Sequence, residues 1–286
     1  MPTLSRPAVL ALTTLTMVAF AANSVLARLA LATTETGAAS FTAIRLGAGA
    51  FALALLARQR LRGTGSWASG AALFVYAAAF SYAYLSLSTG TGALLLFGAV
   101  QITMIGWGLA RGERFGVVQT VGLILAMGGL VVLLAPGVTA PPLGAALLMA
   151  ASGAAWGVYS LRGRGAGDPI ALTAGNFWRA ALMGGALLAV AWLWPLHVWP
   201  HGGVFVDARG AGLALASGGL TSGLGYALWY RVLPSLRASS AATVQLSVPV
   251  IAALGGLALV GEALTLRLAL ASVVTLGGIA LVVRGR

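Results

Sequence analysis

Apolar stretches of about twenty residues succeed one another along nearly the whole chain, parted by short breaks rich in Arg, Pro and Gly. An α-helix needs roughly 20 mostly apolar residues to cross about 30 Å of hydrocarbon, so each stretch predicts one membrane span. The first half reads as 8–32, 36–57, 67–87, 89–110 and 116–135. The second reads as 143–161, 170–194, 210–230, 238–260 and 266–283. The expected fold is an all-α membrane protein of ten transmembrane helices. The first stretch follows only Arg6 and is too long for a signal-peptide core despite the cleavage-like Ala30-Leu31-Ala32, so it is read as a retained helix.

Composition agrees. The 286 residues are 59% apolar and 8% charged, with a mean hydropathy of +0.97, far from the roughly 45–50% apolar and 25% charged of soluble domains. A net charge of +12 would ordinarily suggest nucleic acid. Here all seventeen basic residues are Arg, scattered singly or in small groups between apolar stretches, which is a topology signal and argues against a nucleic-acid partner. Cytoplasmic loops should carry the Arg excess. With a cytoplasmic N-terminus, Arg6, Arg58, Arg60, Arg62, Arg111, Arg114, Arg162, Arg164, Arg231, Arg237, Arg284 and Arg286 fall inside, and only Arg28, Arg209 and Arg267 outside. Both termini are therefore expected in the cytoplasm. The absence of Cys excludes disulfides, thiolate metal sites and Cys nucleophiles.

The halves repeat. Arg28 and Arg162 stand 134 positions apart, as do Arg45 and Arg179. Gly112-Glu113 and Gly261-Glu262 are 149 apart, as are Gly128-Gly129 and Gly277-Gly278. The change of 15 places an insertion around 195–208, between the seventh and eighth spans. Repeats of 1–137 and 138–286 would each hold five spans, and an odd number obliges the second copy to enter the membrane upside down. Inverted repeats characterise secondary transporters, whose site lies near the midplane.

Three strings in the last spans, Ala227-Leu228-Trp229-Tyr230, Leu246-Ser247-Val248-Pro249-Val250 and Gly261-Glu262-Ala263-Leu264, resemble the EamA branch of the drug/metabolite transporter superfamily. Tyr82-Ala83-Tyr84-Leu85 and Gly112-Glu113-Arg114-Phe115 echo them in the first half, although Val100 stands where the counterpart of Pro249 would be. Within that family the overall likeness is to bacterial amino-acid exporters. The resemblance implies residence in the bacterial inner membrane, a central cavity lined by helices 1 to 4 and 6 to 9, and peripheral helices 5 and 10.

Polar groups facing lipid are costly, so those within the spans should face the interior. Candidate substrate-binding residues on this ground are Asn23, Tyr76, Tyr82, Gln101, Trp156, Tyr159, Trp178 and Gln245. Pro249, near the middle of the ninth span, removes a donor and clashes with the carbonyl of Gln245, so it is the candidate gate; a harmless kink is the alternative. Arg45 and Arg179 lie about nine and ten residues into their spans, roughly 14 Å deep at 1.5 Å per residue. No acid lies at comparable depth, since Glu35, Glu113, Asp168, Asp207 and Glu262 all sit at span ends. Two readings stand for the pair: one attracts a substrate carboxylate, or both snorkel and pin the repeats together. Trp67, Trp192, Trp194 and Trp199 read as interfacial belt residues, and the Gly-rich 218–225 suits close helix crossing.

The expected activity is transmembrane export of amino acids and related small metabolites by alternating access, by a monomer embedded in lipid. A titratable group deep in the membrane generally accompanies proton coupling, and the lack of one points to uncoupled flux. Other cargo on the same architecture, such as nucleosides, sugar phosphates or drugs, is the alternative. An intramembrane lipid-modifying enzyme would need clustered acids or a Ser, His and acid arrangement, whereas the acids here are isolated. No catalytic residue, cofactor or metal is expected. His197 and His201 are spaced as helical ligands would be, but Pro195 and Pro200 make that segment a loop.

Overall fold

The computed structural model describes residues 5–57, 64–112, 114–137, 140–163, 168–193, 203–236 and 244–284. Among them there are helices and no strands, arranged as ten successive rods. α1 spans Arg6–Thr33, α2 Ala38–Ala57, α3 Trp67–Tyr84, α4 Thr89–Ala110 and α5 Val117–Leu134. α6 spans Leu143–Arg162 and α7 Pro169–Leu193. α8 runs through three pieces without a break: α-helical Ala208–Leu215, π-helical Ala216–Leu224 and α-helical Gly225–Val232. α9 joins Ser247–Gly255 to the π-helical Gly256–Val260, and α10 spans Leu266–Arg284.

Seven rods, α1, α2, α4, α5, α6, α7 and α10, are long and apolar enough to cross a membrane. The other three fall short for local reasons. α3 has 18 residues and is diluted by Ser, Gly and Tyr. α8 is interrupted by its π-helical stretch, and Ser247–Val260 is a shorter apolar rod. Of the ninth expected span, the residues before 244 lie outside the described residues, as do Arg58, Arg60, Arg62, Glu113, Arg164, Trp194, Trp199, Arg237, Arg286 and the segment with Pro195, His197, Pro200 and His201.

Local chemistry sets the ends. Pro7 occupies the first turn of α1, where its missing N–H has no intrahelical partner to lose. The Ser66 hydroxyl caps α3 by accepting from the Ser69 amide at 3.2 Å. Asp207 caps α8 through the Gly210 amide and also accepts from the Glu35 amide; these two backbone donors hold its carboxyl below the usual carboxylate range. α4 and α9 are both followed by a glycine at positive φ, Gly112 at 90° and Gly261 at 76°. The two repeated Gly-Glu pairs are thus matching helix stops, made by the residue that tolerates left-handed backbone.

Short connections make neighbouring rods antiparallel. One end of the bundle, here the far end, gathers the α1–α2, α3–α4, α5–α6, α7–α8 and α9–α10 connections. There the Gly37 amide donates to the Phe205 carbonyl ahead of α8, and Arg267 at the start of α10 donates to the Ala135 carbonyl beyond α5. At the near end, Arg162 donates to the Ser69 hydroxyl at 3.0 Å, and the Ser66 amide donates to Asn176 at 2.9 Å.

Rods pack across the two halves: α2 on α7, α3 on α6 and α7, α4 on α6, α8 on α1 and α2, and α9 on α1 and α4. α5 and α10 pack chiefly on each other. Their crossing is so close that a Cβ on Gly129 would lie 2.2 Å from the Thr275 hydroxyl. α8 meets α2 as tightly, because a Cβ on Gly218 would lie 2.0 Å from the Arg45 carbonyl. Without a hydrophobic driving force between helices in lipid, such small-residue contacts are what bring backbones together. Large apolar side chains on the outer faces of α5 and α10, such as Val117, Ile124, Val131, Leu266 and Val273, are exposed. In hydrocarbon that exposure carries no penalty.

Candidate functional site

Halfway along the bundle the rods part around a small chamber that is partly open to the surroundings. α1, α3, α4, α6 and α8 line it, together with Gln245 just ahead of α9. No lining residue comes from α5 or α10. One wall is aromatic. Trp156 stacks on Tyr226 with ring centroids 5.1 Å apart and lies 4.9 Å from Tyr76, while Phe20 meets Tyr226 edge-on at 5.8 Å.

A second part of the lining is polar, and Asn23 organises it. Its amide nitrogen donates to the Tyr76 hydroxyl at 3.2 Å, and its carbonyl oxygen accepts from Ser217 at 2.6 Å and lies 3.3 Å from the Thr221 hydroxyl. Three rods, α1, α3 and α8, are thereby tied at one point. Behind Tyr76 stands Arg45 of α2, 2% exposed. Its Nη2 donates to the Tyr76 hydroxyl at 2.7 Å, and its guanidinium carbon lies 4.6 Å from the Phe80 ring centre and 5.1 Å from that of Tyr76. Arg45 Nη1 is buried without a hydrogen-bond partner, as is the Ser222 hydroxyl on α8. A buried charge is ordinarily paired, because desolvation of an isolated one is expensive. This one is met by a phenol and two ring faces.

The sequence candidates divide by place. Asn23, Tyr76, Trp156 and Gln245 line the chamber. Tyr159 is 4% exposed and stacks behind Trp156 at 5.4 Å, one layer back from the lining. Gln101 is buried on α4 one turn beyond the lining residue Phe97 and is not itself in the lining, and Tyr82 is half-buried on the side of α3 turned from it. Trp178 departs from expectation: it is 62% exposed on the outer face of α7. Arg179 departs too. Its Nη1 donates to the carbonyls of Thr64 and Gly175, each at 2.8 Å, and its guanidinium lies over the Trp67 ring. It anchors the turn before α3 near one end of the bundle. Depth counted in residues assumed level helix ends, but α7 has 25 residues against 18 in α3, so the turn at 64–66 reaches down beside Gly175 and Asn176. Pro249 lies in the first turn of α9, which starts after an interruption at Leu246, so it stands at a helix start and not at mid-helix.

Several lining residues were not candidates. Ser24 stands beside Asn23 at the end of a small-residue run, and Thr221 and Ser222 sit in the Gly-rich stretch, which reads as packing material. Tyr226 immediately precedes the string Ala227-Leu228-Trp229-Tyr230, and that adjacency was the available signal.

The far end carries an ion pair. Arg28 Nε of α1 pairs with Glu262 Oε1 at 2.9 Å, with both side chains less than a fifth exposed. Arg28 Nη1 also donates to the Tyr84 carbonyl at 2.8 Å, and Glu262 Oε2 accepts from the Thr89 amide at 2.7 Å. The pair joins α1, the α3–α4 turn and the stop after α9. Glu262 thus also completes the first turn of α4.

Residues 143–284 match the profile of the EamA-like transporter family. The uncharacterized protein PA1977 of Pseudomonas aeruginosa is 56% identical over 259 residues, which cover 89% of this chain and 87% of that one. A solved crystal structure of a protein with 23% identity superposes with a TM-score of 0.61 over 93% of this chain and 94% of its own, a likeness of fold.

Proposed function

Because the chain belongs to the EamA-like transporter family, we propose that it exports amino acids and related small metabolites across the bacterial inner membrane by alternating access through the central chamber. The observation that carries the reading is the chamber itself: a mid-bundle space lined by stacked aromatic rings and by the Asn23–Tyr76 pair, with Arg45 bonded to Tyr76. Polar groups buried at that depth mark substrate pathways.

Two inverted halves, 1–137 and 138–286, are part of the proposal. Exchange of each rod with the one five places on turns the α3–α6 contact into α8–α1, α4–α6 into α9–α1 and α3–α7 into α8–α2, while α2–α7, α4–α9 and α5–α10 turn into themselves. Such a pattern supports a pseudo-two-fold axis between the halves. The near end holds Arg6, Arg111, Arg114, Arg162, Arg231 and Arg284 among the described residues, against Arg28, Arg209 and Arg267 at the far end, which supports a cytoplasmic near end. The Arg28–Glu262 pair then bars the external side, and Pro249, in the first turn of α9 after the break at Leu246, serves as the hinge of a gate. One chain encloses the chamber, so a monomer suffices.

Flux is proposed to run down the substrate gradient without protons, because the chamber wall is built from Asn, Ser, Thr, Gln and Tyr. The test is counterflow of labelled amino acids into liposomes carrying the purified protein, with unlabelled metabolites as competitors. Saturable exchange is expected, unaffected by a pH gradient. No exchange of any amino acid would overturn the cargo, and flux driven by a pH gradient would overturn the uncoupled mechanism.

A further inference from the structure

The polar wall holds more donors than acceptors. The Tyr76 oxygen already accepts from Arg45 Nη2 and from the Asn23 amide, so its own proton remains to be given, and Tyr76 lines the chamber. Ser222 lines it too, is 3% exposed, and its hydroxyl has no partner. Its neighbour Thr221 bonds back to the Ser217 carbonyl at 2.7 Å, and Ser81 to that of Ala77 at 2.8 Å. Ser222 does not, and of the described buried hydroxyls without a partner, those of Thr13, Thr89 and Ser222, it is the one that lines the chamber. Arg45 adds a buried positive charge whose Nη1 is also unmet.

No carboxylate among the described residues answers that charge. Asp168 and Asp207 accept amides at the starts of α7 and α8, Glu262 is paired with Arg28, and Glu35 lies in the α1–α2 connection. An unpaired buried donor costs free energy, and an uncompensated buried cation costs more. A ligand anion placed against Tyr76 and Ser222 removes both costs at once. Neutral acceptors would satisfy the hydroxyls but leave the charge.

We infer that the Tyr76 and Ser222 hydroxyls form a carboxylate-binding subsite of the chamber, with Arg45 behind Tyr76 supplying its charge. This rests on the transport reading and narrows its cargo to compounds that carry a carboxylate. Tyr76 and Ser222 touch the ligand directly. Arg45 is a positioning residue that orients and polarises the phenol.

The test measures the stabilisation against heat of the purified full-length protein in detergent by three matched compounds: L-leucine, leucinamide and 4-methylvalerate. Leucinamide lacks the carboxylate, and 4-methylvalerate lacks the amine. Leucine and 4-methylvalerate should bind at least about tenfold tighter than leucinamide, since a hydrogen bond to a charged group is worth about that or more. Tyr76→Phe and Ser222→Ala should each weaken the two carboxylates about tenfold and leave leucinamide unchanged. Ser222→Ala removes one oxygen and keeps the test readable if Tyr76→Phe misfolds. Binding of 4-methylvalerate without leucine would keep the subsite and end the amino-acid reading. Leucinamide binding as tightly as leucine, or variants that weaken all three alike, would overturn the subsite and leave the transport reading intact. Failure of both carboxylates to bind would overturn it as well.

Discussion

At the scale of single residues, the side chains that matter are those whose hydrogen bonds join rods that hydropathy cannot connect. Asn23 is the clearest case, because its two amide atoms serve α3 and α8 from α1. Asn23→Ala would leave the Ser217 hydroxyl and one lone pair of Tyr76 unmet, at a cost of about 1–3 kcal/mol. Trp178→Ala, on the outer face, should change stability by no more than about 0.5 kcal/mol. Thermal unfolding of the two variants in detergent checks the order, and equal losses would show that the Asn23 network is not structural. The contrast between Arg45 and Arg179 belongs to this scale too. Both are Arg at similar distances from their helix starts, yet one bonds a phenol beside the chamber and the other the carbonyl of Thr64 at a turn.

Among the elements, α8 and α9 depart furthest from regular helix, and both border the chamber. α8 widens into a π-helical turn where Gly218 presses on α2 and Thr221 and Ser222 meet the chamber. Such widenings recur at functional positions in helices. α9 starts after an interruption at Leu246 and ends at Gly261, immediately before Glu262. A proline three residues past the interruption accounts for its place, since Pro249 cannot coexist with a helical carbonyl at Gln245. At the far end the Arg28–Glu262 pair ties α1 to two connections, so Arg28→Gln and Glu262→Gln should each quicken hydrogen exchange at the Thr89 amide. The double variant should exchange scarcely faster than either single one, with a coupling of about 0.5–3 kcal/mol. Additive effects would mean that the two residues act separately and that the far end has no latch.

For the whole molecule, sidedness is the property on which the proposed direction of export depends. A chain without Cys permits a clean test. Ser88→Cys lies in the α3–α4 connection at the far end and Gly163→Cys after α6 at the near end. In intact cells, a membrane-impermeant thiol reagent should modify the first and spare the second; the reverse pattern would invert the orientation and make the Arg28–Glu262 pair cytoplasmic.

What was legible beforehand follows from what hydropathy measures. The apolar runs determined the helical class, the order of the rods and most ends within a few residues, because membrane insertion depends on a sum along the chain. Polar side chains stranded in apolar runs pointed to Asn23, Tyr76, Trp156 and Gln245. The sequence was silent on which way each side chain faces. In a soluble helix the polar stripe shows the outside, but in a membrane helix lipid and protein core are equally apolar, so rotation about the axis leaves no trace in composition. Only the packing of neighbours turned Trp178 outward, drew Arg179 to the turn before α3 and brought Thr221, Ser222 and Tyr226 into the chamber.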